Sequence, residues 1–113
     1  MSHYFSIIIP VFNRPDGILH ALESIKSQNK KNYEIIVVDD STDITSQRIK
    51  EFVSNNPQIS FNHIQPEKRA GISRSRNIGI SSAKGNIILF LDSDDALISK
   101  ALINLYVYHL CCN

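Results

Sequence analysis

Three carboxylates within four residues end an apolar run near residue 90. The stretch reads NIILFLDSDDA (86–96), and the carboxylates are those of Asp92, Asp94 and Asp95. Like charges this close repel, which is costly unless a cation lies between them. Mg²⁺ typically takes one or two carboxylates together with substrate phosphates. The spacing therefore favours a Mg²⁺ or Mn²⁺ site that neutralises a diphosphate, over an acidic loop that is only solvated. No His or Cys accompanies the cluster, which argues against zinc.

A second acidic pair, Asp39 and Asp40, ends the run YEIIVVD at residues 33–39. A carboxylate at a strand end can accept hydrogen bonds from a nucleobase or a ribose, as in dinucleotide folds. The pair can equally well just end a strand, while Ser41 or Thr42 caps the next helix. Such short acidic patterns are common, so the residues alone leave both interpretations open.

The segment EKRAGISRSRN (67–77) is basic and precedes or opens a predicted helix. Backbone N–H groups at a helix start favour anions, and guanidinium groups bind phosphate through paired hydrogen bonds. Gly71 permits a close or left-handed backbone approach. Any one of the basic residues is more simply a solvated side chain, but together with the two acidic clusters they predict a metal and pyrophosphate site. These basic residues are Lys68, Arg69, Arg74 and Arg76.

Four apolar runs that predict strands alternate with four helical patterns. Three of the runs are nearly continuous Ile, Val, Leu and Phe, which is typical of strands covered on both faces, whereas the third alternates and is expected near an edge. The predicted strands are 5–11, 33–39, 59–65 and 86–92. The helices are predicted from apolar residues at helical spacing: Ile18, Leu19, Leu22 and Ile25; Ile49, Phe52 and Val53; Ile72, Ile80 and Ala83; and Leu102, Leu105, Tyr106 and His109, with Ser99 as a cap.

This alternation predicts βαβ units and a three-layer α/β/α fold around a mainly parallel sheet. In such a sheet, ligands bind beyond the carboxyl ends of the strands. Polar and charged residues do collect just after the strands, so they are expected to meet at one edge. They are Asn13 and Arg14, Asp39 and Asp40, Glu67 to Arg69, and Asp92 to Asp95.

The bulk properties exclude several classes of protein. The chain has 113 residues, enough for one domain, and a net charge of +1, so binding driven by nucleic-acid phosphates is not expected. No apolar run approaches the ~20 residues of a membrane span, and the N-terminus lacks the pattern of a signal peptide. Cys111 and Cys112 are adjacent and offer neither a disulfide framework nor metal-ligand spacing. A reducing cytoplasm suits them, so a cytoplasmic location, at most at the inner face of a membrane, is expected.

The ordered motifs resemble the N-terminal half of family-2 glycosyltransferases. They are SIIIPVFNR (6–14), YEIIVVDDSTD (33–43) and AGISRSRNIGISSAKGNIILFLDSDD (70–95). The resemblance covers residues 5 to about 105 and implies the Rossmann-like half of a GT-A fold. It also implies an inverting enzyme that transfers a sugar from a nucleotide-diphosphate sugar, UDP-linked before others, with Mn²⁺ or Mg²⁺. The acceptor would be a hydroxyl in polysaccharide or glycoconjugate synthesis.

The resemblance implies roles for several residues at the nucleoside end of the donor. Pro10, Val11 and Asn13 would lie along the base and the ribose. Asp40, with Asp39 beside it, would meet the edge of a uracil-like base. These roles rest on the family likeness alone.

Other positions are implied at the phosphate end. Gly71 and Arg76 would shape the nucleotide pocket, and Arg69 or Arg74 would reach a phosphate. The DxD motif of the family matches Asp92-Ser93-Asp94. Asp92 would face the ribose or the metal, Asp94 would be the main metal ligand, and Asp95 would support it.

The sequence departs from the family after the DxD motif. Members continue well beyond it with an acceptor site, further strands and the carboxylate that acts as general base. No acidic residue follows Asp95, so residues 1–113 are expected to form the donor-binding domain, truncated before the acceptor half. The strand over 86–91 would then keep an unpaired edge, which invites self-association.

Three other classes of protein share part of this pattern. A non-catalytic domain that binds a nucleotide sugar differs from the enzyme only in the missing base, and stays open. A receiver-type signalling domain needs its acidic pair after the first strand, which here ends in VFNR, and a Lys after a fifth strand. A phosphatase of the haloacid-dehalogenase type needs DxD on the first strand, whereas here it follows the fourth.

Overall fold

Four strands alternate with four helices in the computed structural model, which describes residues 4–29, 31–97 and 100–112, without the side chains of 107, 111 and 112. The Ser99 cap and the two cysteine side chains therefore lie outside the described residues. The elements are β1 (Phe5–Val11), α1 (Pro15–Lys26), β2 (Tyr33–Asp39), α2 (Thr45–Asn55), β3 (Ser60–Ile64), α3 (Gly71–Ser82), β4 (Ile87–Phe90) and α4 (Ala101–Cys112).

The strands form one parallel sheet in the order β3-β2-β1-β4, which confirms the predicted α/β class. The register pairs Val11 with Asp39, whereas β4 pairs with β1 only as far as Phe90 opposite Ile8. Because all strands run the same way, the loops after them meet at one edge. We call this edge the carboxyl rim; it comprises residues 12–14, 40–44, 65–70 and 91–97. Strand order reverses at β1, so the binding crevice of such sheets is expected between the ends of β1 and β4.

Helices cover both faces of the sheet, which gives the three predicted layers. Alternate residues of a strand point to opposite faces, so Ile7 and Ile9 enter the larger core while Ile8 enters the smaller one. The larger core also contains side chains of α1, α2 and α4. The smaller core joins Ile8 to β2 and α3. Its members are Ile8, Ile36 and Val38, with Ile64, Ile78 and Ala83 packed against them.

Helix α3 lies where it was predicted, but two of the isoleucines that marked it do not face the core. Ile72 and Ile80 are 56% and 43% exposed, and the buried positions are Ser75 and Gly79. An ideal Cβ at Gly79 would lie 2.4 Å from Cγ2 of Ile8. The helix therefore approaches β1 so closely that only a residue without a side chain fits there. A contact made by small residues leaves no apolar periodicity in the sequence.

The two outer strands differ from the expectation in one respect. β3 is an edge strand, as predicted, and β2 is buried along its whole length. β4 ends the sheet on the other side among the described residues, and its Ile88 and Phe90 are 40% and 42% exposed. Helix α3 packs mainly over β1 and β2 and covers β4 only in part, through the guanidinium of Arg76, which lies 5.6 Å from the ring centre of Phe90. The expectation that β4 is covered on both faces was therefore wrong for these residues.

A buried carboxylate ties the sheet together at its opposite, amino edge. Glu34 Oε2 accepts hydrogen bonds from Ser6 Oγ and from the backbone N–H of Lys84, both at 2.6 Å. Ser6 Oγ in turn accepts from the N–H of Gly85 at 2.8 Å. We call these four residues the Glu34 network. It links β1 and β2 to the turn between α3 and β4. Within the described residues, no helix combines the length and apolarity needed to cross a membrane.

Candidate functional site

The loops after β1 and β2 are joined through Asn13. This residue has a φ of 51°, in the left-handed region that Asn tolerates better than most residues. Its backbone N–H donates to Ser41 Oγ at 2.9 Å, and its Oδ1 accepts from the N–H of Thr42 at 2.8 Å. Ser41 and Thr42 thus position the β1 loop, and the prediction that one of them caps α2 is wrong. That helix begins at Thr45, whose N–H donates to a carboxylate oxygen of Asp43 at 2.8 Å.

Asp39 turns into the protein instead of facing the carboxyl rim. Its side chain is fully buried; Oδ2 lies 2.8 Å from Nε2 of His63 and accepts from Ser46 Oγ at 2.6 Å. Oδ1 accepts from the N–H of Ser41 at 2.9 Å. As the last residue of β2, Asp39 points to the opposite side from its neighbour Asp40. The structure therefore separates the two carboxylates that the resemblance places together at a base.

The environment of Asp39 predicts a pH effect on stability. Burial raises the pKa of this carboxyl, but the hydrogen bonds from His63, Ser46 and Ser41 outweigh burial and hold it at about 2. An unfolded Asp has a pKa of about 3.9, so the stabilisation is present above about pH 4 and is lost as the pH falls towards 2. We expect a loss of about 2 kcal/mol over this range, measured by urea unfolding. In the Asp39→Asn variant, the free energy of unfolding should lose this part of its dependence on pH. The same pH dependence in both proteins would contradict the role given to Asp39.

Asp40 faces the start of α3. Its Oδ2 accepts from the backbone N–H of Gly71 at 3.0 Å, and the N–H of Ala70 lies 3.1 Å from both carboxylate oxygens. Asp40 thus satisfies N–H groups that have no partner within the helix. Gly71 has a φ of +74°, which only glycine adopts without strain, and the space around its Cα is open. The N–H of Asp40 donates to the carbonyl of Val11 at 3.0 Å, so the end of β1 positions this loop.

The three carboxylates of the opening motif converge. Asp92, Asp94 and Asp95 are exposed and each offers an oxygen within 4.8 Å of the others. They lie on a turn in which the N–H of Asp95 donates to the carbonyl of Asp92 at 3.0 Å. Three carboxylate oxygens open to solvent, without a His or Cys in the group, are a donor set that fits a hard divalent cation. Arg76 Nη2 lies 3.5 Å from Oδ1 of Asp92, an exposed ion pair that contributes little to stability by itself.

The basic segment divides between three places. Arg76 joins the acidic turn, whereas the guanidinium of Arg69 lies 3.6 Å above the ring centre of Phe12. Arg74 and Lys68 line an open groove of about 330 Å³ beside β3, away from Asp92. Of the candidate cations, the structure therefore brings Arg76, and not Arg74, to the acidic turn.

Phe12 was not predicted from the sequence. It follows β1 directly, is 39% exposed and presents its ring at the carboxyl rim. A large aromatic residue immediately after a buried strand, and before the turn residues Asn13 to Pro15, was an available signal. Pro10 is half-buried and Val11 lies in the larger core, so their side chains contribute less to the open surface than that of Phe12.

An open parallel sheet with helices on both faces and polar loops at its carboxyl edge defines the doubly wound α/β class of proteins. The model of glycosyl transferase family 2 matches residues 6–109, and the chain belongs to that family. Glycosyltransferase GlyG of Streptococcus pneumoniae is 34% identical over 107 residues, which are 94% of this chain and 35% of GlyG.

Solved structures agree on the fold. S. aureus TarS 1–349 in complex with UDP-GlcNAc is 33% identical, with a TM-score of 0.81 over 96% of this chain and 31% of that one. Mannosyltransferase PcManGT from Pyrobaculum calidifontis, in complex with GDP-Man and Mn²⁺, has a TM-score of 0.85 at 23% identity, over 95% of this chain and 32% of that one. These neighbours confirm the fold expected from the family resemblance. The chain spans about a third of the length of each of these three proteins.

Proposed function

We propose that the chain binds the donor of an inverting sugar transfer, a nucleotide-diphosphate sugar, with Mn²⁺ or Mg²⁺ at the acidic turn. The observation that carries this proposal is the convergence of the carboxylates of Asp92, Asp94 and Asp95 beside Arg76 at the carboxyl rim. A neutralised diphosphate is a better leaving group, which is the chemistry that a divalent ion supplies when bound. Asp94 is the main ligand, Asp92 and Asp95 support it, and Arg76 adds positive charge for a diphosphate oxygen.

The nucleoside lies along the rim on the β1 and β2 side. The exposed ring of Phe12 offers a face on which a base can stack, and Asp40 stands in the neighbouring loop with acceptor capacity beyond its bonds to α3. Asn13, held to Ser41 and Thr42, lines the path between the base and the phosphates. Arg69 lies over the Phe12 ring at 3.6 Å, so its positive charge is close to the place where a base would stack.

A uridine donor agrees with one of the two solved structures and a guanosine donor with the other. TarS is described in complex with UDP-GlcNAc, and PcManGT in complex with GDP-Man and Mn²⁺. The identity to TarS is the higher of the two, which favours UDP. The acceptor is a hydroxyl of a polysaccharide or glycoconjugate, on the cytoplasmic side of the membrane.

The transfer of the sugar also needs a general base. The acceptor oxygen forms a bond to the anomeric carbon as the bond from that carbon to the diphosphate breaks, and the hydroxyl proton passes to a general base. A second candidate function is binding of a nucleotide sugar without transfer, which needs only the donor site at the carboxyl rim. Assay of sugar transfer from UDP-sugars to added saccharides discriminates the two, because only the enzyme releases UDP at a rate that depends on the acceptor.

Titration with UDP tests donor binding directly. We expect the affinity measured with Mn²⁺ to exceed that measured in EDTA by tenfold or more, since the ion bridges the carboxylates to the diphosphate, about 1.4 kcal/mol per tenfold. Uridine, which lacks the phosphates, should bind equally in both conditions. Equal UDP affinity with Mn²⁺ and with EDTA would contradict the metal-bridged site.

The aromatic ring of Phe12 gives a second test, on the nucleoside side. Stacking of a base on an aromatic side chain is worth about 1–3 kcal/mol, so Phe12→Ala should weaken UDP binding roughly tenfold or more. Uridine should lose affinity by the same factor, because the loss does not involve the phosphates. The matched variant Phe12→Tyr keeps the ring and should bind like the wild type. If Phe12→Ala retains full affinity for uridine, the base lies elsewhere.

The open edge of β4 is the surface through which a second copy of this chain pairs. The strand IILF carries no charge, and its Ile88 and Phe90 are exposed. Because the net charge of the chain is only +1, electrostatic repulsion between two copies is weak. We expect sedimentation velocity to show dimers that dissociate on dilution. The Ile88→Lys variant should form no dimers. The same substitution at Ile44, an exposed isoleucine outside the sheet, should leave them intact. A wild-type protein that is monomeric at every concentration would rule this out.

A further inference from the structure

The acidic turn lies against helix α1. Gly17, in the first turn of that helix, faces it directly: an ideal Cβ at Gly17 would lie 2.8 Å from the carbonyl oxygen of Ser93 and 3.6 Å from Cα of Asp94. Any side chain at position 17 would therefore push against the backbone of the turn. The absence of a side chain lets the backbone that carries the carboxylates rest on the helix.

Two further residues of the same chain segment hold the backbone that follows the turn. Ser24 Oγ donates to the carbonyl of Ala21 at 2.6 Å, which leaves its lone pairs to accept from the N–H of Leu97 at 2.9 Å. Gln28 is buried just beyond α1, and its Oε1 accepts from the N–H of Leu102, in the first turn of α4, at 3.1 Å. Its Nε2 donates to the carbonyl of Ser24 at 3.2 Å.

The spacing of seven places Gly17 and Ser24 on one side of α1, and Gln28 lies just beyond the end of this helix. On the other side of the turn, the N–H of Leu91 donates to the carbonyl of Ile8 at 3.0 Å. The acidic residues are thus held from both directions, by β1 before them and by α1 after them. This matters because three carboxylates without a cation repel, and a loosely held turn would spread them apart.

We propose that Gly17, Ser24 and Gln28 are positioning residues, which hold the backbone around the acidic turn so that its carboxylates already face one point before a cation arrives. The inference rests on the proposed function, since it concerns the same metal ligands. Preorganisation of this kind raises affinity because less freedom is lost on binding. The three residues act through the backbone, Gly17 at Ser93 and Asp94, Ser24 at Leu97 and Gln28 at Leu102.

The Ser24→Ala variant tests the proposal by two measurements on the full chain, with Mn²⁺ alone as the probe. Hydrogen exchange at the Leu97 amide should become about tenfold faster, because this N–H loses its acceptor. Mn²⁺ affinity, followed by paramagnetic broadening of amide signals near the turn, should fall about tenfold. Ser24→Thr keeps the hydroxyl and should restore both. Ser81→Ala removes a helical serine whose Oγ also donates to a backbone carbonyl, and should change neither.

Gly17→Ala separates positioning from stability. Alanine favours helix over glycine, so a merely structural role in α1 would leave thermal stability equal or higher. If Gly17 positions the acidic turn, the added Cβ should weaken Mn²⁺ affinity even when thermal stability is equal or higher. Unchanged Mn²⁺ affinity in Ser24→Ala, while Leu97 exchanges faster, would overturn the positioning role and leave the metal site standing. A wild-type chain that does not bind Mn²⁺ would overturn the proposed function itself.

Discussion

The Asp94→Ala variant is expected to bind UDP no better with Mn²⁺ than with EDTA. Asp94 offers one of three oxygens that converge within 4.8 Å, and its removal takes away both a ligand and a negative charge. The variant should therefore lose the whole gain in affinity, tenfold or more, that Mn²⁺ gives the wild type, about 1.4 kcal/mol per tenfold. Isothermal titration with UDP, in both conditions, measures it.

Two companion variants make this result specific. Asp94→Asn keeps an oxygen ligand without the charge, and should retain part of the dependence on Mn²⁺. Glu51→Ala removes an exposed carboxylate from α2, away from the carboxyl rim, and should bind UDP like the wild type. A similar loss in Glu51→Ala would point to a general effect of charge. Full Mn²⁺ dependence in Asp94→Ala would remove Asp94 from the site.

The largest effect on stability is expected from Glu34→Ala. This substitution leaves the buried Ser6 hydroxyl and the part-buried Lys84 N–H without their shared acceptor at the amino edge of the sheet. Each buried donor left unpaired costs about 1–3 kcal/mol, so a total of about 2–4 kcal/mol is expected. The total free energy of unfolding of a domain is about 5–15 kcal/mol, so this loss is a large part of its stability. Urea unfolding at neutral pH measures the difference.

Control variants separate the network from the charge. Glu34→Gln can place an oxygen where Oε2 lies and keep both hydrogen bonds, so it should lose about 1 kcal/mol. Glu23→Ala, at an exposed position of α1, should stay within about 0.5 kcal/mol of the wild type. If Glu34→Ala proves as stable as Glu23→Ala, the Glu34 network adds no net stability, because water then replaces its hydrogen bonds.

Much of the architecture was predictable because continuous aliphatic runs define central strands. The bounds of β1 and β2 agree with the prediction, whereas β4 is shorter, Ile87–Phe90 instead of 86–92. Leu91 continues the apolar pattern, but the ladder with β1 ends at Phe90 opposite Ile8. Pairing depends on the partner strand, which no local pattern reveals. For the same reason, the close contact of Gly79 with β1 could not be seen from the spacing of isoleucines.

It was predictable that polar residues meet at the carboxyl rim, but not which of their side chains contact each other. Strand ends are readable, so the polar residues after them could be assigned to one edge of the sheet. Which side chains meet there depends on contacts between segments far apart in sequence, such as Arg76 with Asp92 and Arg69 with Phe12. One signal was available: neighbouring residues at the end of a strand tend to point in opposite directions, so Asp39 and Asp40 could be expected to have different surroundings.

The hydrogen bonds of Asp40 have a consequence for any engineering of nucleotide preference. The carboxylate that would read the base also holds the first N–H groups of α3, at Ala70 and Gly71. Exchange of this side chain for one that suits a different base would release the helix start along with the old specificity. Redesign would therefore have to supply a replacement cap. The ring of Phe12 contacts the Arg69 side chain but caps no helix, so position 12 is the simpler place to begin.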